Sequence, residues 1–565
     1  MPDQVIDFNA LDTIIFDGVN LTELIIDGIS IWPSLTQTWP QIGSDLTGTG
    51  AGDGAGISVA LNDTGNIVAY ASPYNIDGGA DSGEIRVFER IGDDWTQVGS
   101  DIEGAPGELA IELGGGTHCV ALNGSGDVLA TSWPGNDEIN GGANNNDSGQ
   151  VRVYKNVSNT WTLTGGDINA LIGNTRLGAY DGLSLNTEGN IVAVGGWLGG
   201  DQPGVSDPGI VRVYEMVAGN WSQIGQTLSG ETTGVIGPGN YNEQADYFGY
   251  SVRINSAGNI IIVGGYANDN NDYPNLAAAG HARVFENISG TWTQIGSDID
   301  GGAAGLLFGI SVSINNTGNI VAVGGAGIGA TAATEAGVVR IYENITGTWT
   351  QIGSDIVGVD VDDNTGWRID LNGTGDIIAI GEDNHDTTTT TNVGRVRILK
   401  NIEGEWVQHA AYITGSAENE YTGWSVALNN LGDVAAVGSP GYLSAGDAVQ
   451  FPGRGSVRVY SEENVSLRVG SLVNGASLNA DGSRIVNNSP RSLNDAGEVS
   501  VSEWTGSSWS QLGQTIEGAS DVENSSGYIG DADRLGSGGL NSDGSLLLTL
   551  AGGESSSANT GKAQV

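Results

Sequence analysis

Six segments of the chain are together rich in Asp, Asn and Gly, and five of them also carry aromatic side chains, a mixture typical of carbohydrate-binding loops. They are residues 72–82, 133–148, 197–208, 266–279, 382–393 and 440–454. Aromatic faces stack on sugar CH groups, while carboxylates and amides hydrogen-bond to sugar hydroxyls. We therefore expect a ligand-binding surface that includes Tyr74, Asp77, Trp133, Asp137, Trp197, Asp201, Tyr266, Asp269, Asp272, Tyr273, Asp383, Asp386 and Tyr442. The alternative is a set of solvated loops with a few packed aromatic residues.

One short segment has the oxygen spacing of a calcium loop. Asp360, Asp362 and Asn364 place side-chain oxygens at alternate positions, but Gly366 comes one place late and a closing Glu is missing. A second oxygen cluster spans residues 268–272. Because a strongly acidic chain produces such clusters by chance, calcium is a weak candidate, and we expect no other cofactor.

No catalytic motif stands out. The sequence lacks G-x-S-x-G, a phosphate loop and the S-x-D-x-G-x-x-W Asp box of sialidases. None of its four His residues has a His four positions away, and the single Cys, Cys119, stands beside His118 alone, so no zinc motif is visible. We therefore predict that the protein is not an enzyme and that Cys119 is buried and inert.

The composition excludes several classes of partner. The 565 residues include 67 Asp and Glu against 20 Lys and Arg, a formal net charge of −47. This charge repels phosphate and anionic lipid, so we expect no nucleic-acid binding and no membrane insertion. A single Cys cannot form an internal disulfide. The hydrophobic fraction of 38% and the 14 Trp residues are too high for a disordered chain.

The elements that must hold these loops are visible as an internal repeat. The motif G-x-S-V-x-L/I-N-x-x-G-N/D-I/V-V-A-V-G recurs along the chain, followed by G-x-V-R-V/I-Y and then by T-W-T-Q-I-G-S-D-I. The anchor Asn of the first motif occurs nine times, at Asn62, Asn123, Asn186, Asn255, Asn315, Asn372, Asn429, Asn479 and Asn541.

Each repeat predicts four short strands, A to D, such as 251–255 for strand A and 319–324 for strand B. Apolar alternation and β-branched residues favour strands, and the Gly- and Asn-rich A–B and C–D turns favour hairpins. Four strands in each repeat of this length are the signature of a propeller blade. The predicted fold class is all-β, a closed β-propeller of four-stranded antiparallel blades.

The ends of the chain predict how the ring closes. The last copy lacks strand D, whereas an orphan strand D at residues 38–45 precedes the first complete copy. We expect this N-terminal strand to close the last blade, which gives nine blades over residues 38–565. Copy seven lacks the strand-D Trp, its strand D being assigned to residues 464–470, and copies eight and nine lack the strand-C Arg. Eight blades plus one degenerate module are therefore the alternative.

Two side chains recur at fixed places in the repeat. An Arg occupies strand C seven times, and we expect it to pair with the strand-D Asp of the same or the next blade, as at Asp101, Asp298 and Asp355. A Trp heads strand D, and we expect it to pack between blades. Both roles are structural.

The strand order separates two faces of the predicted ring. The A–B and C–D hairpins share one face, here called the short-turn face. The long B–C and D–A links share the other, here called the long-loop face. Because binding residues concentrate on loops held by rigid scaffolds, we expect the ligand at the long-loop face. The N-terminal segment would join the propeller at the short-turn face.

Two copies carry Phe-Gly-x-Ser-Val, at residues 248–252 and 308–312. Together with the Gly-Gly-Ala that follows strand B at 324–326, this pattern resembles the FG-GAP repeat of integrin-α-type β-propellers and their microbial relatives over residues 38–565. The resemblance implies the fold but no single function, because this scaffold serves adhesion, recognition and catalysis. The calcium loop of integrin-type blades needs D-x-D-x-D-G between strands A and B. Turns such as 63–66 lack it, so calcium is not expected there.

Residues 1–37 contain a duplication of their own, in which Leu11–Val19 is followed by Leu21–Ile29. Each half is an apolar strand that ends in Asp-Gly, a hairpin signal. The segment lacks the basic region of a signal peptide and is too short and too charged to span a membrane. It resembles the openings of tail and appendage proteins of bacteriophages, especially marine ones. The alternative is a small β-cap on the propeller.

These observations predict a non-enzymatic virion appendage protein of a bacteriophage, similar to a tail fibre or spike. It would join other virion proteins through residues 1–37 and present its long-loop face to a glycan or protein of the host cell surface. A homo-oligomer is compatible with this role. The alternatives are a secreted bacterial surface adhesin, a structural decoration protein, and a polysaccharide hydrolase whose carboxylates meet across the central pore.

Overall fold

The segments of the repeat with alternating apolar residues form β-strands. The computed structural model describes residues 39–77, 82–104, 119–136, 148–171, 175–199, 208–231, 246–268, 278–327, 336–441 and 453–462, together with the backbone of further strands at 14–32 and 443–564. The predicted all-β class is confirmed, and no helix occurs in these ranges. Across the same ranges there is accordingly no helix of a length and hydropathy that would cross a membrane. The chain divides into two units, Thr38–Glu462 and Met1–Gln37 with Glu463–Val565.

The unit Thr38–Glu462 is a ring of seven antiparallel blades, each with its strands in the order A-B-C-D. Strand A is Ser58–Leu61, Val120–Leu122, Leu183–Leu185, Phe248–Ile254, Phe308–Ile314, Arg368–Leu371 and Ser425–Leu428 in blades 1 to 7. Strand B is Ile67–Ser72, Val128–Trp133, Ile191–Gly196, Ile260–Gly265, Ile320–Gly325, Ile377–Glu382 and Val434–Ser439. Strand C is Glu84–Ile91, Gln150–Asn156, Ile210–Val217, His281–Ile288, Val338–Ile345, Arg395–Ile402 and Ser456–Ser461.

Strand D is split into two short pieces, both of which pair with strand C of the same blade. In blades 1 to 6 the pieces are Asp94–Gln97 and Ile102–Glu103, Trp161–Leu163 and Ile168–Asn169, Asn220–Gln223 and Leu228–Ser229, Thr291–Gln294 and Ile299–Asp300, Thr348–Gln351 and Ile356–Val357, and Glu405–Gln408 and Ile413–Thr414. In blade 7 the outer strand is Leu46–Thr47, with a further bridge between Gln41 and Tyr460. The link between strands B and C of blade 7 carries the hairpin Leu443–Ala445 and Ala448–Gln450.

The predicted number of blades, nine or eight, is wrong, because the ring closes after the seventh copy. An N-terminal strand D does close the last blade, but that blade is copy seven. Trp39 supplies the Trp that copy seven lacks, and it packs among strands of blades 6 and 7, including Ile398 and Val437. The alternative strand D at 464–470 lies outside the described residues.

Copies eight and nine form two separate sheets of the other unit. The strands of copy eight are Ser477–Leu478, Arg484–Ser489, Glu498–Trp504 and Trp509–Glu517. Those of copy nine are Arg534–Leu540, Leu547–Gly552 and Lys562–Gln564. The N-terminal duplication forms two hairpins, Ile14–Phe16 with Val19–Leu21 and Leu24–Ile26 with Ile29–Trp32. The strand pairs flank the two Asp-Gly positions, as the sequence predicts.

The Phe-Gly-x-Ser motif is an interblade contact. Gly309 has φ +91°, and a Cβ on it would lie 2.1 Å from the carbonyl oxygen of His281 in blade 4, so no larger residue fits. The motif's Ser donates to the corresponding Gly of the next blade: Ser251 Oγ to Gly309 O at 2.8 Å, and Ser425 Oγ to Gly56 O at 2.7 Å. The second of these bonds joins blades 7 and 1.

The strand-D Trp residues join neighbouring blades, as expected. Each indole nitrogen donates to a strand-D carbonyl of the preceding blade, at 2.8 to 3.2 Å: Trp95 to Ile42, Trp161 to Val98, Trp221 to Thr164, Trp292 to Ile224, Trp349 to Ile295 and Trp406 to Ile352. The expected Arg–Asp pairs also form, each within one blade. Arg86 lies 3.3 Å from Asp101 and Arg340 lies 3.1 Å from Asp355, and Asp45 of the N-terminal strand meets Arg458 at 3.0 Å in blade 7.

The anchor Asn explains the conserved shape of the A–B turns. In blade 5, Asn315 Oδ1 accepts from the Ile320 amide at 3.0 Å, and its Nδ2 donates to Asn319 Oδ1 at 3.0 Å. The residues that follow the anchor Asn also bond to one another from blade to blade. The Gly373 amide donates to Asn430 O at 2.9 Å, and the Asn430 amide donates to Asp63 O at 3.0 Å, again across the junction of blades 7 and 1.

Candidate functional site

The long-loop face holds those predicted binding residues that the structure describes: Tyr74, Asp77, Trp133, Trp197, Tyr266, Asp383 and Asp386. The remaining ones, Asp137, Asp201, Asp269, Asp272, Tyr273 and Tyr442, lie outside the described residues. Trp197 and Tyr266 occupy the same place in their blades, because each directly follows strand B. The structure brings these two into one cluster.

Five aromatic rings from blades 3 and 4 meet at this face and are here called the aromatic cluster: Tyr180, Trp197, Tyr247, Tyr250 and Tyr266. Tyr180 stacks on Tyr250 with ring centroids 4.4 Å apart, and Tyr250 meets Tyr266 edge-on at 4.7 Å. Tyr247 contacts Trp197 at 5.0 Å and Tyr266 at 5.4 Å. Tyr250 is buried and the other four rings are half-buried, so the cluster is a continuous aromatic surface with a solvent-facing side.

Local backbone geometry positions the rings that the sequence did not indicate. Tyr180 and Tyr247 lie just before the innermost strands that begin at Leu183 and Phe248. Both have positive φ, at +60° and +53°. Such backbone is strained for a non-glycine residue and is maintained only where the surroundings demand it. Burial raises the pKa of the hydroxyls of Tyr250 and Tyr266.

Further aromatic and cationic groups extend the cluster around the face. The guanidinium of Arg176 lies 5.3 Å from the Trp197 ring centre, a cation–π contact. Trp367 packs with the apolar group that includes Tyr250 and Ile310, and it meets Trp424 at 6.2 Å. Stacking surfaces from several blades therefore lie side by side, an arrangement able to hold a hydroxyl-bearing ligand with a face of CH groups, such as a sugar ring.

The sequence suggested that Trp133 is an exposed binding residue. This prediction is wrong, because the Trp133 side chain is fully buried. Its Nε1 donates to Ser82 O at 3.3 Å, and Arg152 lies 5.0 Å from its ring centre. Trp133 is the last residue of strand B, whereas Trp197 comes one residue later in its own repeat. Because side chains alternate along a strand, that single step moves the indole from the loop surface to the interior.

Asp77, Asp383 and Asp386 are the acidic members of the predicted binding surface that the structure describes, and two of them make hydrogen bonds within the loop region. Asp77 accepts from Thr49 Oγ1 at 3.1 Å, and Asp386 accepts from the Asn392 amide at 2.7 Å. Asp383 is buried, and burial raises its pKa to about 7. These contacts serve the loop conformation, and none of the three carboxylates belongs to the aromatic cluster.

The candidate calcium segment in blade 6 is arranged around Asp363 and not around the three predicted ligands. Asp362 is exposed, and Asn364 Nδ2 points to Asp383 Oδ1 at 3.5 Å. Buried Asp363 accepts from His385 Nδ1 at 2.9 Å and from Arg395 Nη2 at 3.1 Å. Asp360, Asp363 and His385 are close enough to share a cation. However, Arg395 already supplies the positive charge there.

A small cavity of about 180 Å³ lies on the ring axis among the innermost strands. Arg253 Nη2 contacts Asp181 Oδ1 at 2.8 Å within it. Asp370 accepts from Ser313 Oγ at 3.1 Å and from the Leu428 amide at 2.8 Å. Burial raises the pKa of Asp370 to about 6. Ala60, Ala121 and Ala427 also line the cavity. This volume is below the ~300 Å³ at which ligand pockets usually begin.

Cys119 lines the same cavity and is buried, as predicted. Burial raises the pKa of its thiol to about 12, so the reactive thiolate is not populated at neutral pH.

Comparisons with known proteins identify no family for the chain. No protein-family model matches it, and no curated protein matches it. Solved structures do resemble it in shape. The WD40 repeats of RRP9 are 12% identical, over 75% of this chain and 99% of that one, with a TM-score of 0.43.

Two bacterial structures resemble it similarly. A putative 6-phosphogluconolactonase from Bacteroides uniformis is 10% identical, over 64% of this chain and 86% of that one, with a TM-score of 0.40. A functionally unknown protein from Desulfotomaculum acetoxidans is 14% identical, over 64% and 89%, with a TM-score of 0.36. At these values the likenesses carry no argument about function, and the propeller is assigned from the chain's own strand pairing.

Proposed function

We propose that this protein is a non-enzymatic recognition head that binds a carbohydrate through the aromatic cluster. The observation that carries the proposal is the meeting of five aromatic rings from two blades at the long-loop face. Aromatic pairs of this kind contribute about 0.5–1.5 kcal/mol beyond area burial when they pack, and their free faces offer the same chemistry to the CH groups of a sugar.

The electrostatics of the face support a neutral, hydroxyl-rich ligand. A net charge of −47 repels anionic polymers, while the hydroxyl of half-buried Tyr266, which is protonated at neutral pH as in any Tyr, can donate to sugar oxygens. Arg176 places a positive charge beside the Trp197 ring. The long-loop face is thus suited to a glycan of a cell surface more than to nucleic acid.

We further propose that the head belongs to a bacteriophage virion appendage and is held by residues 1–37. The resemblance of that segment to phage appendage openings supports this role. The geometry of the propeller is compatible with it, since the propeller's first and last strands are adjacent. Pro40 O accepts from the Ser461 amide at 3.2 Å, so the flanking segments leave from neighbouring points on the short-turn face. The interblade contacts of the Phe-Gly-x-Ser motif, such as the bond from Ser251 Oγ to Gly309 O, support a relationship to FG-GAP propellers.

A glycan array with the full chain tests the recognition role. We expect binding to a restricted set of glycans, with Trp197→Ala and Tyr266→Ala each weakening it at least about tenfold, as for central aromatic residues of other interfaces. Tyr412→Ala is the matched control, because Tyr412 is an exposed aromatic residue of blade 6 that packs on Arg395 away from the cluster. Binding that both cluster variants retain would exclude the cluster as the site.

Two further measurements separate the neighbouring roles. If bound glycans are shortened and Asp370→Asn stops the cleavage, the protein is a hydrolase with its acid on the ring axis. For the appendage role, a chain without residues 1–37 should fold but fail to join its particle. Assembly of that truncated chain would contradict anchoring by this segment.

A further inference from the structure

We propose that blade 4 binds a divalent transition-metal cation of the zinc class through His281, Asp298 and Glu231, with Asp246 behind the histidine. The site lies at the first residue of strand C, the end of that strand that faces the long loops.

The imidazole of His281 is buried without hydrogen bonds to the described part of the chain. His281 is only 1% exposed, yet neither Nδ1 nor Nε2 has a hydrogen-bond partner among the described residues. Burying a polar group without a partner costs about 1–3 kcal/mol, so such groups are rare unless something else satisfies them. A coordinated cation satisfies one ring nitrogen completely.

His281, Asp298 and Glu231 lie close to one another. His281 Nδ1 lies 3.5 Å from Asp298 Oδ2, too far for a good hydrogen bond. Zinc binds His nitrogen and carboxylate oxygen at about 2.0–2.2 Å in tetrahedral geometry, which places two ligand atoms about 3.4 Å apart. Glu231, His281 and Asp298 each offer a ligand atom within 4.8 Å of the other two. The His281–Asp298 distance therefore matches two ligands of one ion, and Glu231 is close enough to supply a third.

Neighbouring side chains hold the carboxylates of Asp298 and Asp246 in place through hydrogen bonds. Asp298 Oδ1 accepts from Gln294 Nε2 at 2.6 Å, which leaves Oδ2 directed to His281. Asp246 accepts from Asn268 Nδ2 at 2.8 Å and from the backbone amide of Glu231. Its Oδ2 lies 3.9 Å from His281 Nε2. At that distance Asp246 makes no hydrogen bond to the ring, and it contributes negative charge on the side of the second ring nitrogen.

Negative charge is concentrated around His281. Glu231, Asp246 and Asp298 surround the imidazole, and the backbone of Asp300 pairs with His281. In the described ion pairs of this group, the basic partner besides His281 is Arg283, 3.6 Å from Asp298 Oδ1. A divalent cation would compensate this concentration of carboxylates.

The repeat itself supplies a comparison. Gln150 of blade 2 occupies the position of His281, and its amide donates to Asp167 at 3.1 Å and to Asn169 at 2.8 Å. Asp167 and Asn169 correspond to Asp298 and Asp300. One amide therefore satisfies this position in blade 2. Blade 4 replaces it by His and an additional carboxylate, and the hydrogen bonds are not made.

The histidine of blade 6 shows the opposite state. His385 Nδ1 bonds to Asp363, and its Nε2 accepts from Arg395 Nη1 at 3.1 Å. Both nitrogens are used, and a guanidinium stands where a cation would bind. The inference thus applies to blade 4 and not to every His–Asp pair of the ring.

A cation in blade 4 would also affect the aromatic cluster. Asp246 precedes Tyr247, and Asn268, which bonds to Asp246, lies two residues after Tyr266. Ordering the metal site would fix the two segments that carry these rings. Metal binding itself does not depend on the proposed glycan binding, and it is measured separately.

The test uses the full chain after treatment with a chelator. Zn²⁺ is titrated by calorimetry in excess Ca²⁺, which occupies the diffusely acidic surface, and the melting temperature is followed in parallel. We expect one Zn²⁺ per chain and a rise in melting temperature. Co²⁺ in place of Zn²⁺ should give the visible absorption of a tetrahedral site.

The variants decide which residues bind the ion. His281→Gln installs the residue that blade 2 tolerates, so it should fold, and it should lower Zn²⁺ affinity at least about tenfold. Asp298→Asn should do the same, while His385→Gln should leave the affinity unchanged. The proposal is overturned if the wild-type chain binds no Zn²⁺ above the level of His281→Gln. It is also overturned if both blade 4 variants keep the one-to-one binding.

Discussion

The indole nitrogen of Trp95 lies 2.8 Å from the carbonyl oxygen of Ile42, and this hydrogen bond joins blade 1 to the N-terminal strand that completes blade 7. The same Trp-to-carbonyl contact joins consecutive blades elsewhere in the ring, as from Trp349 to Ile295. The junction that closes the ring therefore uses the ordinary chemistry of the repeat. Its stability depends on a strand that is far from blade 7 in sequence.

Truncation at two points should separate anchoring from closure. A chain that starts at residue 38 should keep a melting temperature close to that of the full chain, because the closing strand remains. A chain that starts at residue 48 loses Ile42, Asp45 and the Leu46–Thr47 strand, so blades 1 and 7 lose their bonds to it. We expect a markedly lower melting temperature in calorimetry. Equal stability of the two truncations would mean that another strand closes the ring.

The glycine of the Phe-Gly motif should tolerate no side chain. Gly309→Ala adds a Cβ 2.1 Å from His281 O at φ +91°, whereas Gly347→Ala, at φ +88°, meets nothing within 4 Å. The left-handed backbone costs about 1–2 kcal/mol in both variants, but only Gly309→Ala must also move blade 4 relative to blade 5. Urea unfolding should therefore show a larger loss of stability for Gly309→Ala. Similar losses would contradict the close interblade approach.

The strand pattern of a single blade could be predicted from the sequence, whereas the number of blades in the ring could not. Periodicity and turn residues are local, and they locate strands A to C in every copy. Ring membership depends on which strand D pairs with copy seven. The missing Trp of copy seven was the available signal, since Trp39 takes its place. Copies eight and nine keep the anchor Asn, so the anchor motif alone does not exclude them.

The candidate sites show the same limit. Trp197 and Tyr266 could be found because they stand in loops, but Tyr250 belongs to an innermost strand, where an aromatic residue resembles a core residue. Trp133 was misassigned because its burial depends on a single step in register. The residues around His281 lie 50 positions before it and 17 after it, at Glu231 and Asp298, so no local spacing indicates a metal site.

Two arginines should differ in their contribution to stability. Arg340 pairs with half-exposed Asp355 and donates to Gly301 O at 3.0 Å. An exposed ion pair contributes about 0–1 kcal/mol and a hydrogen bond about 1 kcal/mol, so Arg340→Met should cost about 1–2 kcal/mol. Arg395 contacts buried Glu382 and Asp363, and Arg395→Met leaves both without this partner. Losing one partner of a buried pair costs about 3–5 kcal/mol. Comparable unfolding free energies in urea for the two variants would contradict the interior role of Arg395.

The carboxyl of Glu84 should make stability depend on pH. Burial, aided by nearby Asp101, raises its pKa from 4.5 to about 8. The folded state therefore holds a proton that the unfolded state releases, and stability should fall as the pH rises from about 4.5 to 8. Glu84→Gln, which copies Gln150 of blade 2, removes this loss. Its melting temperature should exceed that of the wild-type chain at pH 9 and approach it at pH 4.

Glu405→Gln is the control for this pH dependence, because Glu405 is exposed on strand D of blade 6, away from Glu84. We expect its melting temperature to run parallel to that of the wild-type chain at every pH. If Glu84→Gln also ran parallel, Glu84 would not be protonated in the folded protein.

The adjacent ends of the propeller have a mechanical consequence. Strand D of blade 7 and strand C of the same blade are antiparallel, and Pro40 and Ser461 are hydrogen-bonded where the two flanking segments leave. A force that pulled those segments apart would break the bonds between these strands one after another, as in unzipping. A force transmitted from the long-loop face to only one flank would not load the pair in this way. The ring is therefore suited to bear tension through one flank at a time.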